Sequence, residues 1–171
     1  MSKMISSFQI EKEMTFKFEN KFYKCIELTL ILGGIFSRNI NHAKVVAKRI
    51  MDGAIVEMTF YRNESVEQID LIESKMTFMY DDGDNLCFMD PDTYDMIEVS
   101  NTKFEWEKNF LTANLEVSCL VCENEIIKMS LPDEVCLTLS SCAEIDHSKP
   151  FKTAVCETGL KVQVPLFINA G

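Results

Sequence analysis

A chain of 171 residues can hold one large domain or several small ones and bury a real core. With 47% hydrophobic residues it fits a globular protein rather than a disordered one, and no apolar run approaches the roughly 18 residues that a membrane helix needs. Its net charge of -10 argues against a general polyanion binder, because phosphate would repel such a body.

Residues 1–66 read as a small all-β unit. Met14-Thr15-Phe16-Lys17-Phe18 alternates at period two, as a half-buried strand does. Glu19-Asn20-Lys21 is a polar turn, and residues 22–30 form a second strand. The loop Gly33-Gly34-Ile35-Phe36-Ser37-Arg38-Asn39 follows, then a basic strand over 43–50. The simplest geometry is a hairpin with Arg38 near its tip; taken alone, Arg38 reads as a solvated loop residue. Asp52-Gly53 is a tight-turn signal, and residues 55–60 make the next strand. Four or five short strands with turns between them predict a small barrel. This unit carries ten Lys/Arg against seven Asp/Glu, so any nucleic-acid contact is expected from the N-terminal end.

Residues 67–131 form a second unit, with four Lys/Arg against fifteen Asp/Glu. Residues 75–80 and 85–90 flank the turn Asp81-Asp82-Gly83-Asp84 in a clear hairpin. Residues 97–99 are extended. Residues 104–111 are predicted as one helix, with Trp106 and Phe110 at i,i+4. Residues 115–122 and 125–131 flank a turn at Glu123-Asn124. Five strands and one short helix suit an OB-type barrel. Residues 132–171 form the third unit, with three Lys/Arg against five Asp/Glu. Strands are predicted over 135–140 and 160–167, with a polar loop over 141–151. Two strands without a closing hairpin predict an incomplete barrel.

No catalytic constellation emerges. His42 and His147 lie in different units, without plausible nucleophile or metal partners. Cys119 and Cys122 match C-x-x-C, but they lie in an apolar strand where residues three apart face opposite sides. The seven cysteines, Cys25, Cys87, Cys119, Cys122, Cys136, Cys142 and Cys156, suit free buried thiols in a reducing cytosol. The acidic turn at 81–84 lacks the ligand set of a calcium loop. No Gly-rich phosphate loop opens a helix, and no signal pattern opens the chain.

The C-terminal residues are more specific. Lys152, Ala154, Gly159, Val162, Val164, Pro165, Ile168 and Gly171 spell K-x-A-x4-G-x2-V-x-V-P-x2-I-x2-G. This closely resembles the signature of the bacterial translation elongation factor P family. Tyr80-Asp81-Asp82-Gly83 with Phe88-Met89 resembles that family's central hairpin. Lys48-Arg49-Ile50-Met51-Asp52-Gly53 with Val56-Glu57-Met58-Thr59-Phe60 resembles its first domain.

The resemblance implies an all-β fold of tandem small barrels in an L-shape like a tRNA. A KOW-like N-terminal barrel is followed by an OB-fold barrel and a partial second OB-fold, because the family continues past Gly171 with further strands. It implies a cytoplasmic, monomeric, non-enzymatic factor without metal or cofactor. Such factors bind the ribosome beside the peptidyl tRNA and ribosomal RNA, and speed peptide-bond formation where consecutive prolines stall it. Counting back without gaps from Val56 to Phe60 places Arg38 at the family's modified tip position, flanked by Ser37 and Asn39. Most members have lysine there; one branch has arginine, which a dedicated enzyme rhamnosylates, so an arginine-modifying enzyme acting on Arg38 is an implied partner. The usual Pro-Gly tip is here Ile35-Phe36-Ser37-Arg38-Asn39, and the third domain's Gly-rich loop is replaced by residues 141–151, which contain no glycine. Two other readings stay open: a degenerate paralogue, acting as an RNA- or protein-binding β-barrel module without anti-stalling activity, and a hydrolase with an unrecognised site in the acidic unit.

Overall fold

The computed structural model describes residues 2–34, 39–62 and 64–171. Among them there is no α-helix, so the chain is all-β as expected. Among the described residues no helix is long and apolar enough to cross a membrane. The chain divides into two compact units: residues 1–72 with 121–123, and residues 73–120 with 124–171.

The first unit holds one sheet of six strands: β1 (Lys3–Ser6), β2 (Thr15–Phe18), β3 (Lys21–Leu32), β4 (Ile40–Arg49), β5 (Ile55–Tyr61) and β6 (Ser65–Gln68). Their order is β1-β6-β2-β3-β4-β5. The period-two patterns set the faces. Phe16, Cys25, Val45, Ala47 and Phe60 are essentially fully buried in one core. Phe16 stacks on Tyr23 at 5.6 Å, and Phe18 meets Phe60 edge-on at 5.0 Å. Glu19 and Asn20 both take positive φ, the backbone that closes a two-residue hairpin between right-twisted strands. Gly53, at φ 72, does the same work between β4 and β5.

Strands β1 and β6 were not predicted. Each is four residues long and partly polar, and they pair with each other from Lys3–Gln68 to Ser6–Ser65. That pairing is long-range and leaves no local pattern. A second irregularity is a β-bulge: the β3–β4 register steps from Cys25–Ala47 to Glu27–Val46, with Ile26 as the extra residue.

The second unit carries two sheets. The larger is built from β7 (Ile72–Asp81), β8 (Asn85–Met89), β9 (Met96–Ser100), β10 (Glu116–Cys122) and β11 (Glu125–Ser130), in the order β11-β10-β7-β8-β9. Both predicted hairpins are present. Asp82 Oδ1 accepts from the amides of Asp84 and Asn85 at 2.9 and 2.7 Å, which holds the β7–β8 turn. These two bonds hold the Asp82 carboxyl below its ordinary range. Glu123 and Asn124 turn β10 into β11, both at positive φ.

The predicted helix over 104–111 is instead two separate 3-10 turns, Asn101–Phe104 and Glu107–Phe110. Phe104 and Leu111 are buried but Trp106 is 66% exposed. Eight residues without a continuous apolar stripe are too few to hold an α-helix. The Trp106–Phe110 contact does form, at 5.2 Å between ring centroids.

The smaller sheet is β12 (Leu139–Cys142), β13 (Phe151–Cys156) and β14 (Lys161–Pro165), in that order. Two expectations are corrected here. The strand predicted over 135–140 lies at Leu139–Cys142, where register with Cys156 and Ala154 places it. No strand is expected between the loop over 141–151 and the strand over 160–167, yet β13 pairs with both neighbours and forms a hairpin with β14.

Candidate functional site

The residues singled out from the sequence fall in two places. The first is the β3–β4 hairpin. Its strands pair from Tyr23–Arg49 to Leu32–Ile40, and the Gly33 amide then donates to the Asn39 carbonyl at 3.0 Å. Ser37 and Arg38, together with Ile35 and Phe36, lie outside the described residues; Asn39 stands at the foot of β4.

The register builds the outer face of this ribbon in rows. Lys24, Lys48 and Ile55 share one row; Glu27, Val46 and Glu57 the next; Thr29, Lys44 and Thr59 the third; Ile31, His42 and Tyr61 the row nearest the loop. His42 and Tyr61 lie 6.0 Å apart, and His42 Nδ1 is buried without a hydrogen-bond partner. Reading the sequence singled out neither residue for this face. Only the cross-strand register, which sequence does not display, brings them together.

Part of the basic charge is already spoken for. Lys24 meets Glu13 at 2.7 Å, which holds the Glu13 carboxyl below its ordinary range. Lys44 meets Glu57 at 3.5 Å. Arg49 clamps Asp52 with two bonds of 2.8 and 2.6 Å, and Asp52 also accepts the Ala54 amide at 3.1 Å. The Arg49 hydrogen bond is the main reason that Asp52 titrates at about 2. Arg49 therefore shapes the β4–β5 turn.

The second place is the β13–β14 hairpin, which gathers the spaced C-terminal pattern. Lys152 faces Val164, and Ala154 faces Val162. Ala154 is fully buried, and Lys152 is 6% exposed, its stem covered as long cationic side chains allow. Gly159 turns the hairpin at φ 87, which a Cβ would strain. Pro165 ends β14 and accepts the Ile168 amide at 3.1 Å, and the Gly171 amide reaches back to Leu139 at 3.1 Å. Each spacing thus corresponds to a turn, a cross-strand pair or a closing bond.

The C-x-x-C thiols are both buried, contrary to the alternation expected of a strand, because Cys122 sits at the strand's end rather than in its regular part. Burial pushes the Cys119 thiol up to about 12, so it stays protonated and unreactive.

The family model described as the elongation factor P OB domain matches residues 71–129. The model of the elongation factor P C-terminal region matches residues 135–171. Elongation factor P of Mesomycoplasma hyopneumoniae strain 7448 is 34% identical over 98% of this chain and 91% of its own length. That of Mycoplasma genitalium is 33% identical over 100% of this chain and 90% of its own. The chain belongs to the elongation factor P family.

It is accordingly a translation elongation factor by family, and its β7–β11 sheet is the family's OB domain. Among solved structures, a eukaryotic translation initiation factor 5A from Methanococcus jannaschii aligns with 79% of this chain and 95% of its own, at 16% identity and a TM-score of 0.47. In elongation factor P terms, the C-terminal match covers the whole β12–β14 sheet.

Proposed function

We propose that this chain binds the ribosome beside the peptidyl tRNA and promotes peptide-bond formation where runs of proline stall synthesis. The observation that carries the reading is similarity to elongation factor P along essentially the whole chain, at 34% identity. In this reading it acts in the cytoplasm, as one copy on the ribosome and without enzymatic chemistry of its own. Three domains serve it: residues 1–66, 67–131 and 132–171.

Arg38 is the working tip. A guanidinium is planar, permanently charged and rich in donors, so it suits RNA phosphates and base edges. Beyond its last pairing with β2, strand β3 runs on to Leu32, paired with β4 as far as Leu32–Ile40. Residues 26–32 span about 23 Å at 3.3 Å per residue. A narrow ribbon of this reach enters a crowded site that a barrel cannot. Holding the acceptor end of the peptidyl tRNA in a reactive geometry is an entropic contribution to the ribosome's own catalysis. Ser37 and Asn39 flank the arginine and shape its loop, and an arginine-modifying enzyme is the partner that would extend its side chain.

The altered tip, with Ile35-Phe36-Ser37 before the arginine, supports the second reading of a paralogue that binds without relieving stalls. Ribosome co-sedimentation at rising salt, paired with translation of a polyproline reporter, tests both. Salt-sensitive binding with relief of the stall supports the first reading; binding alone supports the second; no binding by folded protein at low salt rejects both.

A further inference from the structure

Among the described residues Lys152 is the only buried charged group, at 6% exposed. Strand β13 alternates, and Lys152, Ala154 and Cys156 all point to its buried side. Across from them stand Val164 and Val162 of β14 and Cys142 of β12. That face is apolar and offers the ammonium no counter-charge. Lys152 makes no ion pair, and no hydrogen bond reaches its amine. The pairing of Cys142 with Ala154, continued past the bond from the Ala143 amide to the Thr153 carbonyl, sets Glu144 opposite Lys152. Yet Glu144 is exposed and makes no ion pair. Asp146 is committed to Ser148 and Lys149, and Glu157 to the Thr138 amide. The amine is not sealed in. Among the described residues His42 Nδ1 is the only fully enclosed side-chain nitrogen or oxygen without a partner, so Lys152 Nζ keeps an opening to solvent.

We propose that Lys152 is the cation of a phosphate subsite on this sheet, filled by free phosphate or by a backbone phosphate of RNA. A charge held among apolar side chains is costly until an opposite charge meets it. The chain carries 27 Asp and Glu, and none of them pairs with this amine, so the counter-charge comes from outside. An ammonium is a compact point charge with three donors, which suits the oxygens of a phosphate. Packing of the stem already fixes the amine, so an arriving anion has no loose side chain to order. With three Lys/Arg against five Asp/Glu, residues 132–171 repel a long polyanion track. They suit one phosphate at one opening. The RNA source rests on the ribosome reading; the phosphate chemistry does not.

The test follows the lysine ε-methylene NMR signals of the full chain as sodium phosphate is added at constant ionic strength. Lys152→Met, which keeps an apolar stem, identifies the signal of Lys152 by its loss; Lys152→Arg does so where that variant misfolds. The Lys152 signal is expected to shift saturably with phosphate and to stay still with acetate. The thermal midpoint of wild type is expected to rise in the same titration, and that of Lys152→Met to stay level. Ribosome co-sedimentation separates the two sources. If RNA supplies the phosphate, Lys152→Met lowers the slope of log affinity against log salt by about 0.7–0.9. An unchanged slope beside the phosphate shift assigns the subsite to free phosphate. A folded wild type that ignores ribosomes rejects the ribosome reading alone, and the titration still decides the subsite. A Lys152 signal that phosphate leaves still overturns the proposal, and so does an equal shift with acetate.

Discussion

The amide of Gly33 donates to the carbonyl of Asn39 at 3.0 Å, and this bond closes the β3–β4 ribbon immediately below the loop that holds Arg38. Both ends of the loop are thereby fixed to a paired ladder, whichever residues stand between them.

Arg38→Ala is expected to leave the thermal midpoint within measurement error, since substitutions away from a buried core usually change stability little. Relief of a polyproline stall should fall to the level seen without the factor, while ribosome binding survives in part. Arg38→Lys should be poor as well, because an arginine-modifying enzyme does not act on lysine. Full activity of the alanine variant, in cells lacking other elongation factor P, would place the working end elsewhere.

Asp52 supplies a pH signature. Its folded value of about 2 lies below the ordinary 3.8, so it stabilises the fold above about pH 4 and loses that contribution as pH falls towards 2. Urea midpoints of wild type and Asp52→Asn should differ near neutral pH and converge in acid. A gap that stays constant down to acid would mean that the Arg49 clamp adds no stability.

Ala154 is fully buried opposite Val162. Ala154→Leu should cost about 1–3 kcal/mol by overpacking, read as a lower urea midpoint. An unchanged midpoint would show room around β13 that the packing does not suggest.

Thiol reagents should separate the cysteines by burial. Cys136 is exposed, whereas Cys119 is buried with its thiol pushed up to about 12. At mildly alkaline pH, Cys136 should label promptly and Cys119 only in denaturant; equal rates would argue that the β10 core opens readily.

What was legible in the sequence was whatever is written locally. The alternation of Phe16 and Phe18, the Asp52-Gly53 turn and the Asp82-Gly83 turn all predicted the elements that form there. β1 and β6 were illegible because each is stabilised by the other, sixty residues away. β13 was hidden because Phe151, Thr153 and Val155 alternate with buried Lys152, and a buried lysine reads as a surface residue. The spaced C-terminal residues pointed to the family before their geometry was visible. The neighbours His42 and Tyr61, by contrast, exist only through cross-strand register.

The bulge at Ile26 makes the ribbon tolerant of length at one position and intolerant at the next few. Because Ile26 is the surplus residue, its deletion leaves Cys25 inward and Glu27 outward, with every later side chain still in phase. Deleting Thr29 instead would put Leu30 and Ile31 out of step and exchange the two faces up to the loop. The hairpin thus has a built-in slip joint near its base, and the loss of one residue there leaves residues 27–32 in register with β4.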